Sequence, residues 1–545
     1  MADLRLRVVA GIVSAGVALG VAELLAAFFG ADRAPLNALG ATVVDHTPDG
    51  VREWAISTFG TNDKAVLYIC MGLVAVLVAG SAGAIERTTR AAGSAVLAVF
   101  GVVAAIVVAA RTNAAGALPT IIGVALGIYA LRVLTRRIDA ADAATDQTPT
   151  ETRGVTTRFG DKAGKSAPTP ASSTSGSTAD HAKTTRAAAI PERRQVLQGL
   201  LLVGGLAVVT GVGGRLLGGR RHDVSGERAA VELPQPSAPE TPIAPGADLR
   251  VPGLTPYLTA NEDFYRIDTA LVVPQVSKDD WSLRIHGMVD REIRLTWADL
   301  ANRPAVERLV TLACVSNPVG GDLIGNARWL GYRLDELLAE AGPHPDADMV
   351  LSHSTDGWTA GTPLSVLTDG RDALLAVGMN GEPLPVIHGY PARLVVPGLY
   401  GYVSATKWVT ELEITRFDRA TAYWTRRGWS ALGPIKTGTR IDTPRPRSRI
   451  KQGRTTVAGV AWAQHRGIRA VEVQIDNGPW QPARLADEQS IDTWRQWVYD
   501  WDATPGPHTL RARSTDATGE VQTAERRDVV PDGATGHPSV TVQVS

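Results

Sequence analysis

At 545 residues the chain is longer than one ordinary hydrophobic core supports, which implies three or more structural units. Its 55 basic and 55 acidic residues give a formal charge of zero, so nothing in the balance points to nucleic acid as a partner. The only cysteines are Cys70 and Cys314, which excludes a disulfide scaffold, a zinc ribbon and an iron–sulfur cluster.

Residues 1–138 read as a four-span membrane bundle. Apolar stretches at Val8–Phe29, Ala65–Ile85, Ala91–Ala110 and Ala117–Leu134 are each near the ~20 residues a helix needs to cross the hydrocarbon core. Arg5 and Arg7, then Arg87 and Arg90, then Arg132, Arg136 and Arg137 all fall on one side of such a bundle. That places both of its ends in the cytoplasm and makes Gly30–Lys64 an outside loop. The spans hold no histidine, so they cannot carry a bis-His haem. Glu23 is the one acid well inside a span.

Residues 139–194 are rich in Ala, Thr, Ser, Asp and Lys without apolar periodicity, the composition of a disordered cytoplasmic linker. A fifth transmembrane anchor occupies 195–218, and the block RRQVLQGLL at its start is similar to a twin-arginine export signal. The chain beyond the anchor is then extracytoplasmic, giving a multi-pass protein of the cytoplasmic membrane. Arg215, Arg220 and Arg221 on the far side oppose that orientation.

A Pro-rich connector, 219–258, leads to the part outside the membrane. In 259–445, short β-type runs (ALVVPQV, WSLRIHGMV, ERLVTLA, DMVLSHST, ARLVVPG, KWVTELEI) alternate with short helical patterns, which predicts an α+β domain. In 446–545 the pattern becomes strand and turn alone, with a hairpin signal at Asp476-Asn477-Gly478, which predicts an all-β sandwich of immunoglobulin type.

The chemistry concentrates in the α+β domain. An apolar run, Leu309–Leu312, delivers Cys314 into a polar, glycine-rich loop with Ser316 and Asn317, and a helical pattern comes after it at Leu334, Leu337 and Leu338. By itself a lone cysteine is more often a small buried hydrophobe than a ligand. Three other clusters are suited to an anion: Phe264, Tyr265 and Arg266; His353, Ser354, Thr355 and Asp356; and His388, Arg393, Ser404 and Lys407. Together they suggest a phosphate-bearing cofactor whose reactive atom one thiolate reaches.

These residues stand in blocks that resemble the sulfite-oxidase superfamily of molybdopterin oxidoreductases. The blocks are FYR at Phe264–Arg266, TLACVSN at Thr311–Asn317 and MNGEPLPVIHGYPARLVVPGLYGYVSATKW at Met379–Trp408. The trailing strands (GVAWA, VEVQIDNGPW, TWRQWVYDW, HTLRARSTD) are similar to that family's immunoglobulin-like dimerisation domain, which implies a homodimer. The resemblance implies that Cys314 coordinates molybdenum, that Phe264, Tyr265 and Arg266 line the pterin, and that His388, Arg393, Ser404 and Lys407 hold it and its phosphate. It also implies that His353, Thr355 and Asp356 pass near the cofactor. The implied reaction is two-electron oxygen-atom transfer.

Two departures bear on substrate. Where sulfite oxidases carry a tyrosine before the MNGEPLP block, this chain has Val377. Where they carry an arginine after the asparagine of the cysteine loop, it has Pro318. Loss of both argues for a neutral S-oxide or N-oxide rather than sulfite. The alternatives are a sulfite dehydrogenase or oxidase that draws basic residues from elsewhere, such as Arg328 or Arg426, and a non-catalytic membrane-tethered binding or sensor protein. With no haem evident in the chain, a separate electron carrier is expected, alongside a small-molecule oxo donor or acceptor.

Overall fold

A computed structural model describes residues 2–30, 33–59, 62–146 and 189–545. Most of the expected linker, 147–188, lies outside the described residues. The chain forms two compact units, Met1–His222 and Asp223–Ser545.

The first unit is helical: α1 (Ala2–Ala26), α2 (Pro35–His46), α3 (Asp49–Phe59), α4 (Asp63–Ile85), α5 (Ala92–Arg111), α6 (Leu118–Asp146) and α7 (Ala189–Arg221). Five of these, α1 and α4 to α7, are long and apolar enough to cross a membrane. Helix α1 is the post against which α4, α6 and α7 pack. The approach is close because small residues face it: a Cβ on Gly11 would lie 2.1 Å from the Ala79 carbonyl oxygen, and one on Gly123 would lie 2.3 Å from that of Ala18. At one end of the bundle Arg7 bridges Asp139 at 2.6 Å and Asp142 at 2.8 Å, and Arg132 approaches Glu86 at 3.6 Å. The basic clusters at the start of α1, between α4 and α5 and late in α6 therefore share one end. Three boundaries differ from the sequence reading. The loop Gly30–Lys64 contains α2 and α3, α6 continues to Asp146, and α7 begins at Ala189 and runs on to Arg221.

The second unit holds nineteen strands in chain order. The first ten are β1 (Ser282–Gly287), β2 (Ile293–Thr296), β3 (Val306–Ala313), β4 (Ile324–Arg333), β5 (Met349–Ser354), β6 (Thr359–Pro363), β7 (Leu374–Met379), β8 (Glu382–Pro383), β9 (Arg393–Val395) and β10 (Val409–Thr415). They form one mixed sheet, in which β1 and β10 run parallel, and one antiparallel sheet. One has the order β2-β1-β10-β5-β6 and the other β3-β4-β7-β8, with β9 paired on β7. Strand β7 is buried at all six positions, as its unbroken apolar run LLAVGM requires. The helix Leu334–Ala341 buries Leu334, Leu337, Leu338 and Ala341 and stops at Gly342, whose φ of 67° suits glycine. The expected strand ALVVPQV is irregular backbone, since Pro274 has no N–H to contribute to a ladder.

The last strands are β11 (Gly438–Thr443), β12 (Arg449–Ile450), β13 (Gly453–Trp462), β14 (Ile468–Ile475), β15 (Gln481–Pro482), β16 (Arg484–Leu485), β17 (Arg495–Ala503), β18 (Gly506–Asp516) and β19 (Ser539–Val544). They form the sheets β11-β13-β17-β16 and β12-β19-β18-β14-β15, which share a core of Val457, Val471, Trp497, Leu510 and Val540. Asp476, at a φ of 54°, turns β14 back onto β15. Strand β11 starts at Gly438, ahead of the boundary expected at 446.

The Pro-rich connector is bound to this unit from Asp223 onward. Ser237 donates its amide to Ala305 O at 2.8 Å, Glu240 accepts the Leu309 amide at 2.9 Å, and Leu249 donates to Gln496 at 2.7 Å.

Candidate functional site

Strand β3 ends where its register with β4 pairs Ala313 with Ile324, and Cys314 is the first residue beyond. Its amide donates to Leu323 O at 2.9 Å, while the Asn317 side chain accepts the Leu323 amide at 3.1 Å, so the loop closes on itself under the cysteine. The strand is fixed from outside as well. Thr311 donates its amide to Asp492 O at 3.0 Å, accepts from the Gln464 side chain at 3.0 Å, and receives the Trp494 amide on its hydroxyl at 2.8 Å. Cys314 is buried, and burial pushes its thiol up, with Ser316 opposing. Deprotonation of this sulfur therefore calls for a compensating positive centre, which a metal ion supplies.

Beside the cysteine stands an aromatic wall. Phe264 stacks on Tyr265 with ring centres 5.2 Å apart and meets Trp329 and His388 edge-on at 5.7 and 5.6 Å. Gly325 makes room for it, since a Cβ there would lie 2.7 Å from the Phe264 ring. The Arg393 guanidinium lies 5.1 Å from the centre of the Trp329 ring, so the wall runs directly into a cationic cluster.

That cluster comes from three stretches of chain. Arg393 on β9 is buried, donating to His388 O at 3.1 Å, and burial lowers it to about 10. His388 is 1% exposed and pairs through Nε2 with Asn261 O at 3.1 Å. Burial first, then the nearby Arg393, lowers His388 to about 4, so the ring is neutral with Nε2 as donor. Lys407 is also buried, bridging Asp268 at 2.6 Å and lying 4.7 Å from the centre of the Trp408 ring; burial lowers it to about 8 against the pull of Asp268. Arg266, more exposed, meets the same Asp268 carboxylate at 2.8 Å.

The other expected residues are placed less centrally. Ser404 is buried and donates its hydroxyl to Tyr400 O at 2.9 Å, so it braces the loop rather than offering a proton to an anion. Thr355 is exposed and donates to Trp408 O at 3.1 Å, next to Lys407. Asp356 is exposed and accepts the Trp358 amide. His353 faces Glu413 at 3.5 Å across β5 and β10. Sequence reasoning passed over Asp268, and it passed over the pair Asn261 and Asn380, which bond at 2.9 Å. Asn380 sits at a φ of 51° in the MNG turn, and the side-chain amide it offers Asn261 holds the residue whose carbonyl His388 uses. An Asn before Gly was the available signal for that turn.

Residues 270–424 match the model of an oxidoreductase molybdopterin binding domain. The chain is 30% identical over 288 residues to mitochondrial sulfite oxidase of Homo sapiens, covering 44% of this chain and 52% of that one. It is 33% identical over 153 residues to the uncharacterized oxidoreductase YuiH of Bacillus subtilis, covering 28% of this chain and 74% of that one. The sulfane dehydrogenase SoxCD from Paracoccus pantotrophus is a structural neighbour at 25% identity and a TM-score of 0.48, covering 53% of this chain and 82% of that one. The chain spans about half the length of the sulfite oxidases it first matches.

These features define a molybdopterin-binding domain of the oxidoreductase type. The chain belongs to the sulfite-oxidase superfamily.

The residues present fit molybdenum–molybdopterin. Among the described residues Arg393 has no carboxylate partner, and Arg266, Arg393 and Lys407 together face His388, with Asp268 as the one acid joining Arg266 to Lys407. That leaves two positive charges in excess, a match for a phosphate monoester that carries about −1.5 to −2 at neutral pH.

Proposed function

We propose that this is a membrane-anchored enzyme of two-electron oxygen-atom transfer, acting on a neutral S-oxide or N-oxide at a molybdenum ligated by Cys314. When bound, the molybdenum–pterin group supplies the two-electron couple and the site of oxygen exchange. The chain's residues do the rest. Cys314 offers a thiolate from a rigid strand end. Phe264 and Tyr265 line the pterin, and Arg266, His388, Arg393 and Lys407 grip it and its phosphate, with Thr355 and Ser404 bracing the loops around them and His353 and Asp356 near the cofactor at the end of β5.

The neutral-substrate reading is carried by the ion pairs near the cysteine loop. Arg440 touches this loop, donating to Gly321 O at 3.1 Å, and Asp442 neutralises it at 2.6 Å. Arg328 pairs with Glu307 at 2.9 Å and lies four residues along β4 from the partner of Ala313, roughly 13 Å away by strand rise. Neither guanidinium is available to a small oxyanion. Sulfite oxidation is the second reading, favoured by the likeness to sulfite oxidases.

The five apolar helices support anchoring in the cytoplasmic membrane, with the second unit on the extracytoplasmic side and the RRQVLQGLL block acting in export. Electrons then pass through a separate carrier. The C-terminal sheets fit an immunoglobulin-like sandwich through which two copies pair.

The test is to purify the full chain in detergent from molybdenum-replete cells and measure metal and turnover. One molybdenum per chain, lost in Cys314→Ser, with reduced viologen oxidised by sulfoxides or N-oxides, supports the proposal. Sulfite-dependent reduction of an artificial acceptor instead favours the second reading. Metal without turnover on any of these would leave a binding protein.

A further inference from the structure

We infer that Asp268 is the positioning residue of the cofactor site: its buried carboxylate joins Arg266 to Lys407 and holds the lysine ammonium charged and aimed at the cofactor's phosphate. The inference rests on the reading that His388, Arg393 and Lys407 grip that phosphate.

Lys407 is buried near the end of the connection between β9 and β10, and a buried ammonium without a counter-ion sheds its proton. A neutral amine there would no longer attract phosphate. The charged groups facing Lys407 are Arg266, Arg393, the neutral His388 and Asp268, so three of its neighbours either repel its charge or do nothing for it. Asp268 is the one acid that favours that charge, beside the weaker help of the Trp408 ring and the Ile387 carbonyl. Its side chain is 5% exposed, and its Oδ2 receives Lys407 Nζ at 2.6 Å and Arg266 Nε at 2.8 Å. A second hold on Lys407 is the Ile387 carbonyl at 3.3 Å, one residue before His388, so the ammonium is fixed in two directions.

The charge count points the same way. Arg266, Arg393 and Lys407 carry three positive charges, and Asp268 reduces them to two, the charge a phosphate monoester neutralises. A carboxylate that merely kept the place until cofactor arrived would leave the loaded site with an excess positive charge in a buried setting.

The experiment measures molybdopterin retained by the purified full chain after dialysis between pH 5 and pH 9, read from the fluorescence of the oxidised pterin. Asp268→Asn, Asp268→Glu and Lys407→Met are compared, each scored on the folded fraction. Wild type is expected to release pterin as Lys407 loses its proton. Asp268→Asn should release it at a pH lower by about one unit or more, the size of shift a close carboxylate produces. Asp268→Glu should recover most of the difference, and Lys407→Met should retain little pterin at any pH. Asp268→Ser carries the same test if the Asn variant does not accumulate. An Asp268→Asn profile that coincides with wild type, or retains pterin more tightly, overturns the inference. If Lys407→Met and Arg393→Ala both keep full pterin content, it is the assignment of the phosphate site that fails.

Discussion

The side-chain amide of Gln464 donates to the main-chain carbonyl of Thr311 at 3.0 Å, joining the β-rich C-terminal region to the strand that ends at Cys314. Gln464 is fully buried, so water cannot replace the bond. Gln464→Ala leaves the Thr311 carbonyl unpaired and should lower stability by about 1–3 kcal/mol. Thermal unfolding of the full chain in detergent checks the value, and an unchanged transition would show that the two regions are joined without it.

Arg393 offers a fork that a lysine cannot copy, since it donates to His388 O while lying over Trp329. Arg393→Lys keeps the charge but loses the fork. Molybdopterin content should fall roughly tenfold, about 1.4 kcal/mol of binding. Fluorescence of the released pterin, referred to protein concentration, gives the answer.

His388 sets an acid limit on the cofactor-free chain. Folded, it stays neutral down to about 4; unfolded, it protonates near its ordinary value of 6.5. Between these values the unfolded state takes up the proton first, so stability is lost as pH falls from 6.5 towards 4, by about 3 kcal/mol in all. His388→Gln should flatten that part of the stability curve, measured by denaturant unfolding at a series of pH values.

Glu227 accepts from Ser277 Oγ at 2.6 Å, the Lys278 amide at 2.7 Å and Tyr390 Oη at 2.6 Å. These contacts hold its carboxyl below the usual carboxylate range despite partial burial. Glu227→Ala should destabilise the unit by about 2 kcal/mol, because three donors lose a charged acceptor. Proteolysis kinetics near Tyr390 would report the loosening directly.

What the sequence could express was whatever is local. The apolar run into Cys314 and the block from His388 to Lys407 read clearly, because strand periodicity and motif order lie along the chain. The pairing of Asp268 with Lys407 spans 139 residues and leaves no local pattern. Arg266 was singled out, but the acid two positions later was not. The connector's attachment was not legible for a related reason: proline-rich composition describes a chain that cannot build its own ladder, yet it says nothing of whether a neighbouring sheet edge accepts it. Ser237 and Glu240 bond to just such an edge. The irregular course of ALVVPQV came from one residue, Pro274, whose missing donor outweighed the β-branched neighbours.

Arg228 donates to Pro383 O at 2.6 Å and to Leu384 O at 2.9 Å, beside the Glu227 contact with Tyr390, on the loop that bears His388. These stitches begin within a few residues of Arg221, the last residue of α7. A protease that cut the connector after Arg228 would therefore release the second unit with the His388 loop freed from this fastening. On the proposed reading, release from the membrane and loss of the pterin would be one event, and a secreted form would have to keep Glu227 and Arg228.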